Sequence, residues 1–219
     1  MNKKTLIIFV LLLIIMSCTL SPLPNNTNND ENYIEDTVIE EKSTLFIKNE
    51  NEESYVFNTN SKTYLKNNGY TLWTIKYEND ESEFEEIEFS VCKESGNIDA
   101  GYGLVFCSQE LENDSFMLSV MINSNGQYII GKILNGNFCV ISNWQTCNYI
   151  NRGLGIKNKI KIEFNDETEM FQLIINEKFV TKFSISDNIE FKKSKYGFVV
   201  VIANNEHFPN QPVKVTYEK

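Results

Sequence analysis

Residue types that usually build catalytic sites are scarce in this 219-residue chain, which has one histidine, two tryptophans and four prolines. A single imidazole, His207, cannot assemble a histidine-rich metal centre, and sequence order shows no partners for it in a Ser-His-Asp arrangement. Set in the loop-like Asn205-Glu206-His207-Phe208-Pro209, it reads as polar loop surface. No pair among the five cysteines has the CxxC spacing of a redox or zinc site. No window longer than about 10 residues carries an apolar stripe at helical spacing, so long amphipathic helices are excluded. Positive charge is short too, with 20 Lys and Arg against 30 Asp and Glu and a formal charge of −10. A surface of that sign repels phosphate backbones, which excludes nucleic acid as a partner. What the chain does have is aromatic material, 15 Phe and 10 Tyr, enough to build a core and to exclude wholesale disorder.

The amino terminus carries Lys3 and Lys4, then the uncharged run Leu6–Met16. That run suits a secretory signal and is shorter than the roughly 18–20 residues that span a bilayer. Ile15-Met16-Ser17-Cys18 follows, and resembles the bacterial lipobox, with Met16 an unusual occupant. The resemblance implies that residues 1–17 are removed and that Cys18 is diacylated, which suffices for stable anchoring. The expected location is therefore outside the cytoplasm, held to a bacterial membrane by lipid. Without residues 1–17 the formal charge becomes −12. Residues 18–44 are rich in Asn and acids (Asn25, Asn26, Asn28, Asn29, then Asp30, Glu31, Glu35, Asp36, Glu40, Glu41) and read as a solvated tether.

From Leu45 the pattern has period two. Glu85, Ile87, Phe89 and Val91 fall on one face, with Glu86, Glu88 and Ser90 on the other, a half-buried strand. Further strands are expected over 103–106, 116–122, 127–134, 138–141, 156–164, 169–175, 179–185, 197–202 and 213–217. Ser124-Asn125-Gly126 and Asn135-Gly136 punctuate them as turns, the second being the strongest short hairpin signal. Tight turns between many short strands, with no long linker, predict one all-β domain over 45–219, an antiparallel two-sheet β-sandwich.

The order of Tyr102-Gly103-Leu104-Val105-Phe106, Gly126–Lys132, Asn135-Gly136, Trp144, Leu173-Ile174-Ile175-Asn176, Tyr196–Val200 and Phe208–Val215 resembles the concanavalin A-like lectin/glucanase jelly roll, including its laminin-G-like and keto-disaccharide-hydrolase-like modules. The resemblance spans about residues 64–217 and rests on structural motifs, so it implies a fold more than a chemistry. It brings the glucanase acid strand Glu-x-Asp-x-x-Glu into view, and Glu86 and Glu88 are the nearest match, without the central Asp or a flanking Trp. They read as a solvated outer face, so no catalytic residue is assigned. Structural calcium is the one cofactor the family suggests; Asn79-Asp80-Glu81 and Asn165-Asp166-Glu167 offer carboxylates but read as turns.

Four cysteines remain after Cys18. Cys139 can pair with Cys147 around the Trp144 segment, and Cys92 with Cys107 across a hairpin; four buried thiols are the alternative. Residues 143–152 concentrate Trp144, Tyr149, Arg152 and the amides Asn143, Gln145, Asn148 and Asn151, an inventory suited to stacking on and hydrogen-bonding to sugars. Lacking a clean period of two, this segment is expected to leave the sheet as a ligand-contacting loop. The leading expectation is a non-enzymatic domain that binds a glycan or an envelope protein. A glycan-processing hydrolase and an adhesive structural protein are the alternatives.

Overall fold

The structure is a computed structural model, and it describes residues 46–49, 54–59, 71–77, 86–110, 115–185, 195–202 and 212–219. Cys18, the tether, Asn79–Glu81 and His207 lie outside these residues. Every regular element described is a strand: β1 (Phe46–Asn49), β2 (Ser54–Thr59), β3 (Thr71–Tyr77), β4 (Glu86–Ser95), β5 (Tyr102–Glu110), β6 (Ser115–Ile122), β7 (Gln127–Leu134), β8 (Asn137–Thr146), β9 (Lys157–Asn165), β10 (Met170–Ile175), β11 (Lys178–Phe183), β12 (Lys195–Ile202) and β13 (Val213–Glu218). They form two antiparallel sheets, a seven-stranded one in the order β1-β2-β13-β4-β9-β10-β11 and a six-stranded one in the order β3-β12-β5-β6-β7-β8.

The two sheets pack face to face because each strand alternates. Ile87, Phe89 and Val91 of β4 turn inward while Glu86 and Glu88 turn out. Tyr102, Leu104 and Phe106 of β5 do the same from the other sheet. Phe198 on β12 lies at the junction, stacked on Tyr217 with ring centroids 4.2 Å apart and edge-on to Phe89 at 5.0 Å. The Tyr217 hydroxyl donates to the Val199 carbonyl at 2.9 Å, tying β13 of one sheet to β12 of the other. Burial raises the pKa of that hydroxyl well above its ordinary value.

Turn chemistry sets the hairpins. Asn135 and Gly136 both take positive φ, 49° and 77°, the conformation a two-residue hairpin loop needs to match strand twist. Asn176 and Glu177 repeat it at 50° and 65° between β10 and β11. The Asn165 carboxamide oxygen accepts from the Thr168 backbone N–H at 2.9 Å and from its hydroxyl at 2.8 Å, so that segment is a side-chain-closed turn.

The outer faces differ in kind. On the seven-stranded sheet Lys161 lies 2.9 Å from Glu86 and 2.6 Å from Glu163, Lys159 lies 3.3 Å from Glu88, and Lys214 lies 2.6 Å from Glu94. Glu86 and Glu88 therefore belong to a surface lattice of ion pairs. The outer face of the six-stranded sheet is instead apolar, with Val105, Met117, Met121, Ile129, Ile133 and Val199 buried together.

Both disulfide pairings require correction, since all four described cysteines are free thiols. β4 and β5 lie in different sheets, so Cys92 and Cys107 are not cross-strand neighbours. Cys107 faces the core, where burial pushes its thiol far up from the usual value. Cys92 sits near Glu94, Lys157 and Glu218, and burial with the Glu94 charge raises its pKa. Cys139 and Cys147 are separated by the length of β8, roughly 25 Å at about 3.3 Å per residue, far beyond the roughly 4.4–6.8 Å between bridged Cα atoms.

Candidate functional site

Three loops meet at one end of the sandwich: residues 96–101 after β4, 123–126 after β6 and 147–156 after β8. Backbone hydrogen bonds fasten them together. Ser124 N–H donates to the Ile98 carbonyl, Gly153 N–H to that of Ser124, Cys147 N–H to that of Gly126, each at 2.9 Å, and Gly155 N–H to that of Lys93 at 2.8 Å. Buried amides complete the frame. Asn123 accepts from the backbone N–H of Asn125 and Gln127 at 3.1 and 3.0 Å. Asn158 accepts from Asn151 N–H at 2.7 Å and donates to the Asn151 carbonyl at 2.9 Å, and Asn176 donates to the Tyr149 carbonyl at 2.6 Å. Asn123 and Asn158 are each 1% exposed, so their bonds are largely shielded from competing water and preorganise the platform, while the bond from the half-buried Asn176 lies at its surface.

Lys93 supports the platform from inside. It continues the inward parity of Phe89 and Val91 and is fully buried. Its ammonium donates to the carbonyls of Asn97 at 2.6 Å and Ala100 at 3.2 Å, and sits 6.0 Å from the centre of the Tyr102 ring. An internal cation thus gathers the carbonyls of the 96–101 loop. The Tyr102 hydroxyl lies beside Ser124 and Asn158, and its pKa is pushed up to about 12, chiefly by burial. Among the described residues no group of three or more His, Cys, Asp or Glu side chains is placed to hold a metal ion.

What the platform shows to solvent is Tyr149, 48% exposed, with Ile98, Leu154 and Ile156 also exposed. Arg152 is exposed, and its side chain lies over the turn at Gly126, where a Cβ would come within 2.6 Å of Nε. Gly126 has φ +85°, so this position needs glycine for conformation and for space. Asn148 is likewise exposed. Of the other amides noted in the sequence, Gln145 is engaged by the Tyr128 hydroxyl at 2.8 Å and donates to Ser142 at 2.8 Å. The Asn151 side chain reaches the Lys157 carbonyl at 3.4 Å, and Asn143 accepts from Trp144 N–H at 3.2 Å. Asp99 is the sole carboxylate the three loops carry, and it pairs with the Asn125 amide.

Trp144 is placed differently from Tyr149 and Arg152. β8 continues to Thr146, so the chain leaves the sheet three residues later than Trp144 rather than at it. The indole packs on the outer face of the six-stranded sheet, where it borders Gly101 and joins the apolar cluster around Met121. The structure therefore brings Tyr149 and Arg152 into one loop and sets Trp144 on a strand beside it. Trp144→Ala is expected to cost about 2 kcal/mol of stability, the share appropriate to a half-buried Trp, and to leave ligand affinity unchanged. Thermal melting and a binding titration on the same variant check both parts; loss of binding with an unchanged melt would return the indole to the site.

No family model matches the chain, and no curated protein does. Solved structures match it in fold. A glycosidic hydrolase is similar with TM-score 0.53 at 7% identity, over 80% of this chain and 78% of that one. The Bacillus licheniformis β-glucanase gives 0.50 at 8% identity, over 80% of each chain. The carbohydrate-binding module CBM66 from Bacillus subtilis gives 0.48 at 15% identity, over 80% of this chain and 91% of that one. The chain has the concanavalin A-like jelly-roll fold, as the resemblance in its sequence implied.

Proposed function

We propose that this is an exported, lipid-anchored envelope protein that binds a carbohydrate at the loop end of its sandwich. One observation carries the binding part: Tyr149, Arg152 and Asn148 project from a loop whose backbone is held by the buried amide of Asn158 and the half-buried amide of Asn176. A phenol ring offers a stacking surface, while a guanidinium and a free amide offer planar donors for hydroxyl groups. Held rigidly, such groups lose little entropy on binding. The fold supports the reading only as precedent, because one fold hosts many functions.

Binding is favoured over hydrolysis by the carboxylates. Glycoside hydrolysis ordinarily needs two, roughly 5–9.5 Å apart, and the three loops of the platform carry only Asp99, already engaged by Asn125. Exposed Ile98, Leu154 and Ile156 favour a second reading, docking on an envelope protein. The anchor rests on the Lys3-Lys4, Leu6–Met16 and Cys18 pattern, and the acidic stretch 18–44 would hold the domain off the bilayer.

Two experiments test the proposal. Metabolic labelling with a fatty-acid analogue should mark the wild type and not Cys18→Ala; equal labelling overturns the anchor. A glycan array probed with the full-length chain should return a restricted set of oligosaccharides. Silence on the array, together with capture of an envelope protein that Leu154→Asp abolishes, would favour the docking reading instead.

A further inference from the structure

Strand polarity places the start of the domain beside the candidate site. Ser95, where β4 ends and the 96–101 loop begins, faces Lys214, and Val213 faces Thr59. Phe57 in turn faces Phe46, the first residue of β1. The chain preceding Phe46 therefore joins the sandwich at its loop end, three strand spacings from β4 or about 14 Å away. Cys18 lies 28 residues before Phe46. A tether of that length spans roughly 30 Å, so an anchor at Cys18 keeps the loop end within reach of the bilayer. The same end gathers apolar side chains. Ile98, Tyr149, Leu154 and Ile156 are four of the seven large apolar side chains exposed among the described residues. Ser124 joins two of their loops, donating to the Ile98 carbonyl and accepting from Gly153 N–H, next to Leu154. Ile156 lies against Gly153, its Cγ1 3.5 Å from where a Cβ would stand. Charge is nearly absent there: the three loops carry Asp99 and Arg152 and no other charged residue, in a chain of formal charge −10.

We propose that the carbohydrate bound at this site is the headgroup of a neutral glycolipid, met by a loop end that faces the protein's own membrane. The inference rests on the carbohydrate and anchor readings above. An aliphatic rim beside sugar-reading groups matches an amphipathic ligand. Tyr149, Arg152 and Asn148 meet the headgroup, and Ile98, Leu154 and Ile156 enter the apolar layer beneath it. A free oligosaccharide would leave those three aliphatic side chains in water, where they gain nothing. Tyrosine suits the boundary, having an apolar body and a polar tip, and an arginine stem can lie along apolar surface with its head among the headgroups. Tethering supplies the rest, because it holds the loops near the bilayer at a high effective concentration, and weak contacts then suffice. Charge selects the lipid. Asp30, Glu31, Glu35, Asp36, Glu40 and Glu41 oppose approach to anionic phospholipid, and the near-neutral loops do not offset that repulsion. A neutral sugar headgroup carries no such penalty.

Hydrogen exchange on the full-length lipidated chain in phosphatidylcholine vesicles tests the proposal. Adding diglucosyldiacylglycerol or digalactosyldiacylglycerol to the vesicles should slow exchange at amides of 96–101 and 147–156 about tenfold. Replacing part of the phosphatidylcholine with phosphatidylglycerol should weaken that protection. Leu154→Ser combined with Ile156→Ser changes two exposed positions, so this variant should melt as the wild type does. It should nevertheless bind the glycolipid at least about tenfold more weakly. Loops that neither glycolipid protects overturn the proposal; the carbohydrate reading stands if a free oligosaccharide still binds, and falls with it if none does. Protection by plain vesicles equal to that by glycolipid vesicles also overturns it, as does a double variant protected as well as the wild type.

Discussion

Phe198→Ala is expected to lower stability by about 3–5 kcal/mol, the range for truncating a fully buried aromatic. The ring has no exposure, and it touches aromatic side chains of three strands in the opposite sheet: Tyr217 on β13, Phe89 on β4 and Tyr55 on β2, the last at 4.9 Å. Loss of area contributes most of the cost. The cavity adds to it, because backbone hydrogen bonds on both sides hold the two sheets and let the gap close only in part. For a domain of this size each kcal/mol moves the melting temperature by roughly 2–4 °C, so the midpoint should fall by about 10 °C. Phe198→Leu, which keeps most of the volume, should cost less than about 2 kcal/mol. Denaturant titration of the three proteins checks the order; a loss below about 1 kcal/mol for the alanine variant would remove Phe198 from the centre of the core.

Lys93→Ala should cost about 3 kcal/mol, and here opposing effects must be weighed. Two carbonyls, of Asn97 and Ala100, lose a charged donor, and hydrogen bonds to charged groups contribute roughly 1.5–3 kcal/mol each. The buried aliphatic stem adds a cavity term. Against these, the variant is relieved of the desolvation of an ammonium, which costs several kcal/mol per ion. The bonds and the packing outweigh that relief, since the stem is wholly buried and the Ala100 N–H, which also donates to the Asn97 carbonyl at 3.3 Å, carries no charge. Lys93→Met restores the packing and lacks the bonds, so it should fall between wild type and Lys93→Ala. Because the 96–101 loop is fastened to Ser124 through the Ile98 carbonyl, amides at Ser124 and Gly153 should also exchange faster in both variants. A melting temperature above wild type for Lys93→Met would show that the ammonium is a net burden.

Most of the strand pattern was legible because alternation is a local property. The ten strands read over 84–217 correspond to β4 to β13, and Asn135-Gly136 adopts the hairpin conformation its side chains favour. Sheet membership was not legible. Reading Cys92 and Cys107 as hairpin neighbours assumed that consecutive strands pair, whereas the chain crosses from one sheet to the other between β4 and β5. Trp144 was misplaced for a related reason. Irregularities in the β7–β8 pairing between Tyr128 and Gly131 break the period of two, so a strand looked like a loop. Lys93 was visible in principle, since its parity follows Ile87, Phe89 and Val91, yet a lysine beside Glu94 and Ser95 looks like a strand end in water. The site itself was half legible. Tyr149 and Arg152 stood out by composition, but the union of their loop with residues 96–101 and 123–126 comes from sheet packing, which spacing along the chain does not encode.

The central claim is that the 147–156 loop binds sugar through Tyr149 and Arg152. Isothermal titration of the full-length chain with an oligosaccharide chosen from the array tests it most directly, beside Tyr149→Ala and Arg152→Ala. Both side chains are exposed, and neither closes the loop hydrogen bonds, which run through the Tyr149 carbonyl and the Asn151 backbone. Each variant should therefore melt within about 2 °C of wild type, as surface substitutions do. Each should also bind about tenfold or more weakly, the loss of one well-placed stacking or charged contact. Unchanged affinity in both variants, with unchanged melting, would contradict the account and move the binding surface away from this loop.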